Sequence, residues 1–578
     1  MRKLTVLLHC IFAGTILPCP GLALKADIRA DSNRDGTVDV ENNSDLPHKM
    51  DWTDRAGAIF LANIGDTDRR CSKHTQDISD DAIAACNDAS DDIIRQMQYM
   101  ATLKTIGIPN ATNDTWGTVG VHDETARKYV RLFRWDSKKK WVITTNDDRF
   151  SAKELQDGLE LKMDARDTRR PGCWDGRAEV VFYVQNNNMS SQDAVRLRVA
   201  PVLTHHTLQP VKEFLTTAGN KSTPQESFVQ DFQKAIDDSG IRKPLYQFNP
   251  SADPWAQDFL EPAYTTMPGP NNTLITLQVM IRSSQGSRPA GRMVFTDLRK
   301  TGRGAVYSTG GTRDEIESTG NLETIPPYIH GNKSYPAGRV IEGSHKAFGK
   351  EYPPHIYDYM RAQELQDPLI IDVDWLTVGH VDEIVQFLPA NTSRGWAILV
   401  ADPEQGVKIL QNVSGDTPAF SRKQNAPNIT ISELLNNGTI VEQNKKYAKK
   451  LENLKKILRD ETGVTEFYGV PSVFRTGICL PPYAGSPPER NCSLNYAGAL
   501  YPGVINGLAL SKSTYLAPKP WGPIVNNTDV FERATRDIYS KIGFEKVLFI
   551  DDWDSHHRDG GEVHCGTNSI REPAKWWD

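Results

Sequence analysis

The pattern of apolar residues changes character at Ala200-Pro201, and that break limits what the chain can fold into more than any other feature. Before it, Ala58 to Ile64, Lys139 to Thr145, Glu179 to Gln185 and Ala194 to Val199 alternate or run apolar between turn residues, as half-buried strands do. After it, helical stretches at Phe228 to Ser239, Asn444 to Asp460 and Val530 to Ile542 alternate with apolar strands at Leu274 to Ile281, Leu369 to Val373, Trp396 to Ala401 and Lys546 to Ile550. A chain of 578 residues exceeds what one core holds together, so a multidomain α+β protein is expected. Residues 24–195 would form a β-sandwich of immunoglobulin-like size, and residues 196–578 an α/β domain.

Residues 1–23 read as a secretory signal: Arg2 and Lys3, an apolar run from Leu4 to Leu17, then Pro20-Gly21-Leu22-Ala23 as a small-residue cleavage region. No segment reaches the ~20 apolar residues of a spanning helix, so a secreted protein without a membrane span is expected. Asn-X-Ser/Thr triplets at Asn42, Asn110, Asn188, Asn437, Asn491 and elsewhere suit glycosylation on that route. In such a compartment Cys71 with Cys86 and Cys479 with Cys492 are candidate local disulfides. Cys173 and Cys565 are left, either as free thiols or bridged to each other. The formal net charge of −6, with no long basic run apart from the helical Lys445 to Lys456, argues against a nucleic-acid partner.

The first residues after the signal carry oxygen side chains at Asp31, Asn33, Asp35 and Asp39 around Gly36, a spacing that suits a hard cation such as calcium. No helix precedes this loop, and Asn42 stands where an EF-hand carries its bidentate Glu. Asp66 and Asp68, after the strand at Ala58 to Ile64, could close the same site.

Three further pieces carry chemistry. Cys565 lies beside His564 in the polar, Gly-rich Gly561-Glu562-Val563-His564-Cys565-Gly566-Thr567-Asn568, where a neighbouring cation or aimed amides would populate a thiolate. Neighbours on an extended chain face opposite ways, so His380 is the better imidazole partner. If Trp375 to Glu383 is extended, His380 and Asp382 face the same side. Asp258, after Trp255-Ala256-Gln257, supplies a second carboxylate. A guanidinium is flat, cationic and rich in N–H donors, so Asp258 and Asp382 could clamp it while Trp255 walls its stem or stacks on it.

These residues carry a family resemblance. Leu197-Arg198-Val199-Ala200-Pro201, Trp255-Ala256-Gln257-Asp258, Gly320-Asn321-Leu322-Glu323, Val378-Gly379-His380-Val381-Asp382-Glu383 and Gly561 to Asn568 follow, in order, motifs of the peptidylarginine deiminases. Ala26 to Asp68 resembles that family's middle, immunoglobulin-like domain, while the family's N-terminal domain has no counterpart. The resemblance implies a pseudo-five-fold α/β propeller of ββαβ repeats, the guanidino-group-modifying fold. It also implies calcium-dependent conversion of arginine in peptides or proteins to citrulline and ammonia. It makes Cys565 the nucleophile, His380 the general acid and base, and Asp258 and Asp382 the guanidinium ligands. Gln257, Glu261 and Glu323, with main-chain oxygens near Thr319 and Leu322, match one family calcium site. Phe259 and Arg282 depart from a second, and Arg282, Arg288 and Arg292 are all displaced from the place of the family's substrate-backbone arginine. Deimination of free arginine or another small guanidine, or a decayed calcium-dependent binding protein, are the alternatives. Self-association is left open.

Overall fold

A computed structural model of the chain describes residues 24–71, 78–187, 189–250, 253–308, 310–347, 350–421, 424–436, 438–480 and 490–577. The expected signal segment and the triplets at Asn188 and Asn437 lie outside these residues.

The N-terminal part is built from two five-stranded sheets. One orders Ile28–Ala30, Ala101–Thr105, Glu160–Ala165, Val130–Trp135 and Trp141–Ile143. The other orders Ala58–Phe60, Ser190–Val199, Arg177–Gln185, Trp116–Val121 and Arg149–Phe150. Arg177–Gln185 shows why they stack: every second residue (Ala178, Val180, Phe182, Val184) is buried, and these join Leu103, Leu161 and Met163 of the other sheet in one core. A buried ion pair, Arg131 with Asp164 at 2.6 Å, crosses adjacent strands of the first sheet. The extended segment expected at Lys139 to Thr145 shortens to Trp141–Ile143, because Asp136 folds the turn before it by accepting from the Lys138 and Lys140 amides.

Five sheets among the remaining described residues share one plan: a central strand runs antiparallel to one neighbour and parallel to the other across a helical connection. The central strands are Val211–Thr217, Thr273–Arg282, Arg339–Ala347, Trp396–Asp402 and Thr514–Pro518. Their antiparallel neighbours are, in turn, Thr567–Arg571, Leu260–Gly269, Leu322–Ile325, Val385–Pro389 and Leu508–Ala509. The parallel partners are Leu245–Phe248, Arg303–Tyr307, Leu369–Asp372, Phe467–Pro471 and Lys546–Ile550. The ββαβ repeat hidden in the sequence is therefore explicit in the pairing.

The connecting helices form where stripe and cap agree. Pro224–Asp238 starts at Thr223, whose side chain accepts from the Glu226 amide, with Pro224 in the first turn. Its buried Phe228, Phe232, Ala235 and Ile236 recur at helical spacing and pack on Phe214, Leu516 and Ile550, each phenylalanine contributing roughly 2 kcal/mol of burial. Thr439–Thr462 buries Tyr447, Leu451, Leu454 and Leu458 on one side and ends at Gly463, whose φ of +70° suits a residue without Cβ. No helix among the described residues is long and apolar enough to cross a membrane.

Candidate functional site

The chemistry-bearing residues sit at equivalent places in the repeats, on the turns that lead into the antiparallel strands. Asp258 precedes Leu260–Gly269, Gly320 precedes Leu322–Ile325, Asp382 precedes Val385–Pro389, Asn506 precedes Leu508–Ala509, and Cys565 precedes Thr567–Arg571. Main-chain bonds tie four of these turns together, Gln257 N–H to Cys565 O at 3.0 Å, Thr319 N–H to Asp258 O at 2.9 Å, and His564 N–H to Asn506 O at 3.1 Å, and the His564 side chain joins the fifth at Asp382.

Trp255, Asp258, His380 and Cys565 line one cavity, with Glu315 beside them. Cys565 Sγ lies 3.5 Å from Asp382 Oδ2 and 3.5 Å from Asn506 Oδ1. His380 Nε2 meets Ser318 Oγ at 2.8 Å and the Glu315 carbonyl at 2.9 Å, which leaves Nδ1 turned to Asp258 Oδ1 at 3.8 Å. Neither of those two facing atoms has a hydrogen-bond partner within the described residues. Trp255 meets His556 edge-on, ring centres 5.1 Å apart, so the indole is a fixed wall.

Trp375 to Glu383 is not extended throughout, as the sequence had suggested. Gly379, at φ +88°, opens a turn, and Val381–Glu383 coil into a single 3-10 turn closed by Glu383, which accepts from the Gly379 and His380 amides. Through this turn rather than by strand alternation, His380 reaches the cavity and Asp382 reaches the Cys565 sulfur. Nor is His564 turned away: its Nδ1 lies 2.8 Å from Asp382 Oδ2 and its Nε2 3.4 Å from Glu323 Oε1.

The electrostatics differ from the expected thiolate. Burial pushes the Cys565 thiol well above its ordinary range, and the charges of Asp382 and Asp258 push it further, so the ligand-free site holds a neutral thiol. Burial alone would depress His380, but Asp258, Asp382 and Glu315 together overcome it and keep the imidazole above its usual value. Asp382 is held low despite burial by its bond to His564. Burial raises Asp258, opposed chiefly by Arg288.

His564 is raised to about 9, burial being overcome by Glu323 and Asp382. Against an ordinary 6.5, the imidazolium stabilises the fold fully below about pH 6.5 and loses that contribution as pH climbs through 9. In chelator-treated protein, urea unfolding between these pH values should show a loss on the order of 3 kcal/mol that is missing in His564→Gln. A flat profile in the wild type would refute the assignment.

Of the expected calcium residues, Gln257 Nε2 donates to Glu261 Oε2 at 2.9 Å, and Glu261 and Glu323 are both raised by burial and by each other or by Asp382. The buried Glu261 and half-buried Glu323 carboxylates, with the Gln257 amide oxygen and the Thr319 and Leu322 main chain, form an oxygen-rich set that a hard cation fits. Among the described residues no three His, Cys, Asp or Glu side chains converge as a metal group, so main-chain oxygens would have to complete it. In the N-terminal loop, Asp31 accepts from the Asp35 and Gly36 amides and is raised to about 7, chiefly by burial and then by Asp45. Asn33 Nδ2 donates to Asp35 at 2.9 Å, and Asp45, missed in the sequence, accepts from Ser32 and Asn33. Asp39 turns instead to the Glu41 and Asn42 amides and Ser44. Asp66 accepts from the Cys71 amide, near Arg299 and Asp88, and Asp68 sits in the turn Thr67–Arg69. Gly36 is obligatory here, at φ +88° with Gly269 O 1.8 Å from where a Cβ would stand, which presses the loop on the second part of the chain.

Cys71–Cys86 and Cys479–Cys492 are bridged, while Cys173 is free and exposed and Cys565 free and buried. Sequence reasoning missed Asn506, Ser318 and Glu315, whose only signal is their place before or within a turn leading to an antiparallel strand. Of the displaced arginines, Arg282 and Arg292 pair with Asp80. Arg288 forks onto Asp253 at 2.7 Å, Glu315 at 3.2 Å and Asp258 at 3.3 Å.

Gly320 makes the closeness of Asp258 and His380 possible, since a Cβ there would stand 2.4 Å from Asp258 Oδ1 and 2.8 Å from His380 Nδ1. Gly320→Ala should cost ~1–3 kcal/mol of stability by overpacking and prise the two apart. An unfolding curve matching wild type would show that the turn yields.

A cysteine between two carboxylates and an imidazole, walled by an indole, is a site shaped for a small planar cation. The family profile of protein-arginine deiminase (PAD) matches residues 189–578. The chain belongs to that family. It is 30% identical over 405 residues to human protein-arginine deiminase type-3, covering 67% of this chain and 56% of the relative. With rat type-4 the identity is 31% over 418 residues, covering 67% and 57%. The chain thus spans little more than half the length of these relatives. A solved agmatine deiminase from C. jejuni aligns over 65% of this chain and 97% of its own at a TM-score of 0.34 and 10% identity, too loosely to carry any argument.

Proposed function

We propose that the chain is a secreted, calcium-dependent deiminase that hydrolyses the guanidinium of arginine in peptides or proteins to citrulline and ammonia. The five ββαβ sheets support a pseudo-five-fold propeller, and the two stacked sheets an immunoglobulin-like domain. The observation that carries the chemistry is the cavity where Cys565, His380, Asp258 and Trp255 meet, with Asp382 on the sulfur.

An arriving guanidinium takes its place between Asp258 and Asp382 and replaces the thiol proton as the positive charge facing them. That proton is released, and Sγ attacks the guanidinium carbon. His380, kept charged by its acidic neighbours, gives its proton to the departing ammonia. It then takes one from the water that adds to the thiouronium carbon, so that citrulline leaves and the sulfur is regained. Both carboxylates favour the cationic states throughout. Gln257, Glu261 and Glu323, with the Thr319 and Leu322 oxygens, would hold calcium, whose bound charge offsets the buried carboxylates behind Asp382.

Secretion is supported by the signal-like residues 1–23 and by two disulfides, which persist in oxidising compartments. The test is purified protein with a blocked arginine ester and with free arginine, with and without calcium. Citrulline should form from the ester, and chelation, Glu261→Gln or Glu323→Gln should lower it at least tenfold; activity indifferent to all three would discard the calcium set. One observation favours the small-guanidine alternative: Arg282, Arg288 and Arg292 are all bound to carboxylates of the chain itself. Turnover of free arginine alone would select that alternative.

A further inference from the structure

A second cavity adjoins the first at Cys565. It shares the cysteine, Val378, Leu480, Gly560 and Gly561 with the first, but its polar lining is Thr377, Glu383, Asn506, His557 and Glu562 rather than Asp258 and His380. Burial lowers His557 to about 4 and raises Glu562 to about 8, so a neutral imidazole and a carboxyl that keeps its proton face this space. Glu562, 6% exposed, accepts from the Gly503 amide and meets His557 through Oε1, while Oε2 has no hydrogen-bond partner among the described residues. Behind it stands Asp552, fully buried and likewise without a donor, so the two carboxyls can meet only by sharing a proton. Thr377 Oγ1, in a side chain 2% exposed, also lacks a partner. A buried chamber with a proton shared between two carboxyls and an unpaired Thr377 hydroxyl is complementary to a small nitrogen base that becomes a cation carrying N–H donors.

We propose that this chamber binds ammonium and receives the nitrogen that leaves the substrate. That identity of the cation rests on the deiminase reading; the cation site does not. While the covalent adduct stands on Sγ, the substrate's stem fills the cavity beside Trp255 and blocks that side to the leaving group. Ammonia, complete with the hydrogen from His380, passes into the adjoining cavity and takes the proton that Asp552 and Glu562 share. It becomes ammonium against their carboxylates, and the pair regains a proton from solvent after the cation leaves. No other bond is made or broken.

The probe is rubidium, a hard monovalent ion of about ammonium's size that scatters anomalously. Crystals of the whole protein soaked in rubidium chloride should show a peak between Glu562 and Thr377. The peak should fall at least fivefold in Glu562→Gln and in Thr377→Val, and vanish when ammonium chloride is added. An empty chamber, or a peak indifferent to both substitutions, overturns the proposal; two variants guard against one that fails to fold. The soak needs no turnover, so the two ideas fail separately. A peak in protein that makes no citrulline keeps the cation site and sinks the deiminase reading, whereas citrulline without a peak does the reverse.

Discussion

Cys565→Ser should abolish citrulline formation, by about four orders of magnitude or more, while the unfolding transition stays where it was. Cys565 is 5% exposed, and the partners of its sulfur, Asp382 Oδ2 and Asn506 Oδ1, are acceptors that a serine hydroxyl satisfies as well as a thiol does. What is lost is ionisation: the thiol is already held high by burial and two carboxylates, and an alcohol starts far higher. Chromatographic detection of the ureido product from a blocked arginine ester reads the outcome. Turnover within tenfold of wild type would move the nucleophile elsewhere.

The second large effect is expected at Asp382. It touches Cys565, takes the proton-rich face of His564, and is the carboxylate that burial fails to neutralise. Asp382→Asn keeps the shape and deletes the charge, so the chain should still fold, at a cost in stability, and kcat/KM should fall by ~10²–10³-fold. Because His564 loses its partner, the variant should also lose part of the pH-dependent stability that separates wild type from His564→Gln. Full activity with unchanged pH behaviour would remove Asp382 from the clamp.

Much of this was legible in the chain, for stated physical reasons. The helices at Pro224–Asp238, Thr439–Thr462 and Val530–Ile542 announce themselves because a single buried stripe at helical spacing leaves little else to fold into. Cys565 stands out because a thiol in a polar, Gly-rich turn has few structural uses, whereas His380, Asp258 and Asp382 stand out through the family motifs around them, since a histidine beside an acid is common in structural roles. Asn506 and Ser318 were invisible: an amide and a hydroxyl in a polar turn look like any other turn residue until five turns are seen to converge. The Val381–Glu383 turn was misjudged because apolar alternation in Trp375 to Glu383 mimics a strand, and only Gly379 hinted that the backbone changes hand. The local partners of Asp39 and Asp66 were not legible, since spacing cannot say which carboxylates accept from nearby amides.

The strand that follows the nucleophile closes the first sheet. Thr567–Arg571 pairs with Val211–Thr217, and Thr216 donates to the Gly566 carbonyl across 350 positions of sequence. Closing so wide a loop is slow and must await synthesis of its far side, which at ~5–20 residues per second comes well after the rest of that sheet has emerged. A nascent chain therefore carries no assembled site. Whatever chemistry those turns can perform is withheld until that last sheet edge is zipped.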